Sequence, residues 1–290
     1  MFMKKIVLSL MVIALGFSSI AQEAVGTPEQ LAQFGKTTTY VVLEKNPLLM
    51  YNQIIKETVK KHWTITPVEF VTFSTNEFEE ARMDENKSFL IMHQGFYEKD
   101  KTKAKYQFLD VILGGKYEYE RDMPVLATVP VSYVDVEEES YAYKLGALCH
   151  FLQNHIELTK AHPELTSKKK VVKHYYKNIT GNIQDKTLYI TKDVLAKNFK
   201  SMNEIKALYP YKVELVEQDT VLKAIDAKNT DIVFVHKVGP EGGRKARCFN
   251  TIVGAADAQL YYFNHHMISD KMPEGLSKKD WKKLGKAKKK

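Results

Sequence analysis

The sequence predicts an α/β protein built from two similar β-α-β-α-β-β lobes, an internal duplication joined by a helical hairpin. Three observations lead there. Residues 66–86 and 209–229 lie over each other without a gap, placing Pro67 on Pro210, Phe70 on Val213, Phe78 on Val221, Ala81 on Ala224 and Asn86 on Asn229. The run Ser88 to His93 then falls on Asp231 to His236. In each half, short β-rich runs alternate with segments of helical periodicity, as right-handed crossovers and a largely parallel sheet require.

The first half opens with a strand, Thr38 to Leu43, and Asn46-Pro47 then offers a helix cap with proline at the first helical position. Leu48, Tyr51, Ile54, Ile55, Thr58 and Val59 recur at steps of three and four, one apolar stripe of a helix reaching Lys61. A strand over Pro67 to Phe73 leads to Ser74 or Thr75 as cap of a short helix, with Glu77 early in it. Ser88 to Phe96 is apolar on consecutive residues, as a strand covered on both faces should be. A basic hairpin tip, Glu98 to Lys105, returns the chain through Tyr106 to Leu113. Four strands per lobe follow, the last antiparallel to its neighbour.

The second half repeats the order. Strand Thr187 to Thr191 precedes Asp193, expected to cap a helix over Val194 to Leu208. Strand Tyr211 to Val216, a helix over Thr220 to Ala227 capped by Asp219, and strand Asp231 to Val238 come next. The tip Gly239-Pro-Glu-Gly-Gly-Arg244 then leads into Cys248 to Gly254. Between the halves, Tyr117 to Val136 alternates as a further strand or extended pair. Helices over Glu139 to Lys160 and Thr166 to Lys177, separated by Pro163, carry too many aromatic and aliphatic residues for a solvated linker.

The domain boundaries are therefore 1–21 as a signal peptide, 22–136 as the first lobe, 137–182 as the connector, 183–268 as the second lobe and 269–290 as a basic tail. Lys4 and Lys5, the apolar run Ile6 to Phe17 and small residues around Ser19-Ile-Ala21 are the three parts of an export signal. That run is too short to span a bilayer, which needs roughly twenty apolar residues. Export to a periplasmic or secreted location is the expectation. Cys149 and Cys248 could pair in such a compartment, but Cys149 lies in a stretch that reads as the buried side of a helix, and a free buried thiol is the reading preferred.

The net charge of +8 at first suggests an acidic partner. Eight lysines, however, lie between 277 and 290 against Asp280 alone, and two more are in the leader, so the body is close to neutral. Nucleic acid is excluded as a partner, because a binder carries its basic residues on a folded face among aromatic or polar readers. The tail places Trp281 and Leu284 on one side of a short amphipathic turn. With Lys282 and Lys283 it could anchor the protein to an anionic membrane or wall surface.

No motif fixes a reaction. The segment Gly239 to Arg247 lacks P-loop spacing and runs into a strand, so no helix terminus offers its amides to a phosphate. The two basic tips, with Lys101, Lys103 and Lys105 in one and Arg244, Lys245 and Arg247 in the other, are candidate contacts for an acidic partner. His265-His266 point to opposite faces of a strand and do not chelate together, and no zinc spacing is present. His93 and His236 occupy equivalent positions near the carboxyl ends of the third strands, where open sheets bind ligands. They are the candidates for a cleft between the lobes. There is no nucleophile elbow, kinase or dinucleotide fingerprint, so no catalytic residue and no cofactor is assigned.

The leader and the Ala21-Gln22-Glu23 junction resemble those of exported proteins of Bacteroidota. The repeated strand–helix order is similar in outline to small periplasmic α/β domains of envelope assembly and secretion machinery. Export, the absence of catalytic spacing, the duplicated lobes and a detachable basic tail point to a non-enzymatic envelope protein that acts through its surface, as a partner-binding or assembly and secretion-accessory component. The alternatives are a periplasmic small-ligand-binding protein using the cleft between the lobes, and a hydrolase of envelope polymers with an acid pair across one cleft.

Overall fold

The computed structural model describes residues 25–286 except 74–75, 99, 135, 178–181, 196–198, 200 and 241–244. The expected export leader, the expected Ser74 or Thr75 cap, most of the turn at 178–182, Arg244 and the last lysines thus lie outside the described residues.

The first lobe runs α1 (Pro28–Phe34), β1 (Thr38–Leu43), α2 (Met50–His62), β2 (Val68–Thr72), α3 (Glu77–Ala81), β3 (Lys87–Phe96), β4 (Lys105–Leu113) and β5 (Val125–Tyr133). The connector holds α4 (Glu139–Ala142), α5 (Leu145–Ala161) and α6 (Lys168–Lys177). The second lobe follows with β6 (Thr187–Ile190), α7 (Met202–Leu208), β7 (Val213–Leu215), α8 (Gln218–Asp226), β8 (Ile232–Val238), β9 (Arg247–Gly254), β10 (Leu260–Met267) and α9 (Lys278–Gly285).

Both sheets have one order. The first is β2-β1-β3-β4-β5 and the second β7-β6-β8-β9-β10. The three strands at the β2 and β7 ends are parallel, and the hairpin strands antiparallel, in both. The register repeats as well. Val41 pairs with Phe70 and Leu90, and Leu188 pairs with Val213 and Val233, the residues that the sequence overlay superposes. The offset persists through the hairpin, since Leu90 pairs with Val111 and Val233 with Gly254. The four-strand expectation is short by one in each lobe: β5 and β10 complete five.

Several local expectations are corrected. Asn46 does not cap α2; its side chain closes a turn on the Leu48 amide at 3.1 Å, and the helix begins at Met50, leaving Leu48 82% exposed. Asp193 does not cap α7, which starts at Met202 after Ser201. Asp219 lies inside the first turn of α8. Helix α1 was not anticipated, although Thr27-Pro-Glu-Gln30 forms a complete capping box with proline at the helix start.

The lobes pack head to tail. Helix α5 covers Leu90, Leu109 and Val111 on the α2 side of the first sheet. Its start, Tyr143 and Ala147, also packs with Val221, Ile225 and Phe234 on the α8 side of the second. Because α2 corresponds to α7 and α3 to α8, the lobes present opposite faces to the connector. Equivalent positions therefore meet different surroundings, and this asymmetry creates the site.

Two surface expectations are overturned. The basic hairpin tips do not both project into solvent but pack on each other through Ala104, Tyr106, Val238, Ala246 and Phe249. Arg247 grips Asp100 of the first tip with two hydrogen bonds of 2.6 and 2.7 Å, and Tyr106 exchanges hydrogen bonds with the Arg247 backbone at 2.8 and 2.9 Å. The second tip's acidic partner is thus the first lobe. Lys101, Lys103, Lys105 and Lys245 remain exposed. Truncating one member of a largely buried bidentate pair strands the other, at about 3 kcal/mol. Arg247→Ala should therefore lower the thermal midpoint by several degrees, while Lys101→Ala and Lys245→Ala leave it within a degree.

The tail is likewise part of the core. Helix α9 has a Ser277–Asp280 capping box, and Asp280 also accepts from Tyr262 and Asn264 at 2.6 and 2.7 Å. Trp281, 2% exposed, and Leu284 insert beside Phe199, Ile205 and Tyr209. Gly285 lets α9 press on α7, since a Cβ there would collide with the Leu208 carbonyl oxygen. Trp281 is therefore not an anchor residue, though Lys282 and Lys283 face solvent. Among the described residues no helix is long and apolar enough to cross a membrane.

Candidate functional site between the lobes

Strand β5 is the edge of the first sheet and lies against the face of β8 in the second. A register shift in its pairing with β4 sets Gln107 opposite Ser132 but Phe108 opposite Pro130. Bulges of this kind re-aim edge groups, and proline is tolerated on an edge because no neighbour needs its amide. The outward Pro130 carbonyl accepts a 2.8 Å hydrogen bond from His236 Nε2. Nε2 thus carries the proton, and Nδ1 is a buried lone pair without a partner.

His236 is 3% exposed. Burial, reinforced by the Lys144 charge, lowers its pKa to about 3 against the weaker upward pull of Pro130 and Asp193. The imidazole is therefore neutral near pH 7, an acceptor at Nδ1 and a donor at Nε2.

His93, at the equivalent position, behaves oppositely. Its Nδ1 lies 3.1 Å from Asp110. Burial opposes protonation, but the Asp110 hydrogen bond and charge, with Glu120, outweigh it and raise the pKa. The register explains the contrast. Ile91 pairs with Asp110, whereas Phe234 pairs with Val253, so the second lobe has valine where the first has the carboxylate. His93 shares the α3 face with Phe89 and Ile91, which points away from α5, while His236 shares the α8 face with Phe234, which points into the interface. The two histidines therefore do not line one cleft; only His236 lines the interlobe cavity.

Two cavities follow one another along β5. The first, of roughly 170 Å³, lies beside Thr128 to Pro130 and is walled by Leu148, Phe151, Val171, Val253, Phe263 and neighbouring apolar side chains around His236. Tyr175 and His155, joined at 3.0 Å, add a polar edge. The second, of roughly 390 Å³, lies beside Val131 to Val134 and holds Glu137, Tyr141, Lys144, Asp193 and Lys237.

Lys144, just before α5, has a side chain 2% exposed. Burial lowers its pKa to about 8; Asp193 pulls it back up and Lys237 adds to the fall. Asp193 Oδ2 stands 4.0 Å from Lys144 Nζ and 3.3 Å from the Tyr143 hydroxyl. Burial works against its ionisation, but Lys144 and hydrogen-bond donors win and lower its pKa. Asp193 is therefore not the protonated acid that glycoside-type hydrolysis needs.

Sequence reasoning missed Lys144, Asp193 as a site residue, and Pro130. A signal for the first was present: Lys144 is the one charged residue in the run Tyr141 to Cys149. Among the described residues no three His, Cys, Asp or Glu side chains gather as a metal ion would need. Cys149 and Cys248 are buried free thiols. No family model, curated protein or solved structure matches this chain.

Proposed function

We propose that this is an exported small-ligand-binding protein that holds a compact apolar molecule with one hydroxyl or N–H donor in the cavity around His236. One observation carries this reading: an unpartnered, uncharged imidazole nitrogen set among the apolar walls of an interlobe cavity. An unsatisfied buried acceptor costs about 1–3 kcal/mol, which a donor on the ligand would recover. The volume suits a single ring, since apolar cavities of about 150 Å³ hold benzene. Ligand sites have this composition, apolar walls with few oriented polar groups, and form between domains. One of the features that favoured an assembly component, a detachable basic tail, is largely taken up inside the fold.

Thermal unfolding with phenol, indole and toluene tests the reading. A ligand at a hundred times its dissociation constant adds about 2.7 kcal/mol, a rise of roughly 5–10 °C for a chain of this size. Phenol and indole should stabilise the protein more than toluene, and His236→Phe should erase that preference. The same midpoint with and without all three compounds would refute the proposal.

A further inference from the structure

The second cavity has a chemistry that the proposed ligand site does not use. We propose that Lys144 is a covalent site for a small 2-oxo acid, held in the polar cavity as an imine whose carboxylate pairs with Lys237. The inference is independent of what occupies the apolar cavity.

Three features of the geometry support it. First, Lys144 is removed from solvent yet lines a space of roughly 390 Å³. Its neighbour Asp193, at 4.0 Å, is beyond hydrogen-bond reach, and the centroid of the Tyr143 ring lies 4.7 Å from Nζ. A lysine serving only as a structural ion pair would be expected to close on its carboxylate at 2.7–2.9 Å. Second, Lys237 opens into the same cavity. It supplies a cation for a substrate carboxylate while Lys144 faces the adjacent carbonyl. Third, Asp193 is held by Tyr143, within range to exchange protons with Nζ through a short shift.

The step balances without a further reagent. The neutral amine attacks the carbonyl carbon, a C–N bond forms, and the carbonyl oxygen takes a proton. Nitrogen gives up both its protons by way of Asp193, the first to that oxygen to form the carbinolamine and the second to the departing hydroxyl, which leaves as water, so that amine and carbonyl become imine and water. A desolvated ammonium beside a second cation gives the neutral amine needed for attack near pH 8.

The test is reductive trapping on the full chain. Pyruvate and cyanoborohydride are added at pH 8, and each lysine is quantified by peptide mass spectrometry. The inference expects modification at Lys144 at least tenfold above that of the exposed lysines of α9, and loss of the preference in urea. Lys237→Gln should cut trapping of pyruvate several-fold more than trapping of butanone, because losing the Lys237 charge raises the Lys144 pKa for both ketones while only pyruvate also loses its carboxylate partner. Labelling spread evenly over surface lysines would overturn the covalent site, and equal trapping of pyruvate by Lys237→Gln would overturn the 2-oxo acid class. Far-ultraviolet circular dichroism on Lys237→Gln establishes that the fold is intact.

Discussion

Trp281→Ala should destabilise the protein by about 3–5 kcal/mol, the usual cost of emptying a buried tryptophan site. At 2–4 °C per kcal/mol for a chain of this size, that lowers the thermal midpoint by roughly 10 °C. The indole packs edge-on to Phe199, with centroids 6.4 Å apart, and lies 5.8 Å from Tyr209. Tyr209 is held back from the vacated space by its hydrogen bond to the Ile183 carbonyl at 3.2 Å. Lys282→Ala and Lys283→Ala, by contrast, should stay within ±0.5 kcal/mol. Denaturant melts of the three variants check this. A wild-type midpoint for Trp281→Ala would mean that the tail is detachable after all.

The second large effect is a loss of stability in acid traced to His236. Its unfolded pKa is near 6.5 and its folded pKa about 3. Below pH 6.5 the unfolded chain takes up a proton that the native state refuses, so stability falls as pH drops from 6.5 to 3 and then levels. The slope approaches 1.4 kcal/mol per pH unit, a total on the order of 5 kcal/mol. Carboxylates titrate in the same window, so the wild type must be compared with His236→Gln, in which they are common to both. The charged groups acting on His236, Lys144 and Asp193, are also unchanged there. Urea unfolding at pH 6.5, 5.5 and 4.5 should show the wild type losing stability faster than the variant, and parallel losses would refute a neutral, buried His236.

Much of the fold was legible because duplication writes the same physical pattern twice. The ungapped overlay of 66–86 on 209–229 showed one order of elements used twice, and the superposed residues take equivalent places in the paired ladders. Of the fifth strands, β5 falls in the Tyr117 to Val136 stretch read as a further strand, whereas β10 was not anticipated. Val125 to Tyr133 contains Pro130, which argues against a central strand and is explained by its edge position. Leu260 to Met267 ends in polar residues that suit an exposed edge equally well.

The site was only half legible, for a geometric reason. Equivalence in sequence placed His93 and His236 together, but head-to-tail packing turns their shared face outward in one lobe and inward in the other. Whether a charged hairpin tip is solvated or docked depends on that same arrangement, which is why Arg247 read as a surface contact. Lys144 precedes an amphipathic helix and looked like an ordinary polar position until Tyr143, Asp193 and β8 closed around it.

The central claim is that His236 Nδ1 receives a hydrogen bond from a ligand in the interlobe cavity. The direct measurement is the ¹⁵N spectrum of histidine-labelled protein at pH 7 during a phenol titration, with His236→Phe used to assign the signal. The account predicts a neutral Nε2–H tautomer whose Nδ1 resonance moves upfield and saturates with phenol, and stays in place with toluene. A His236 Nδ1 resonance that does not respond to saturating phenol, while the protein is stabilised by it, would place the ligand elsewhere and contradict the account.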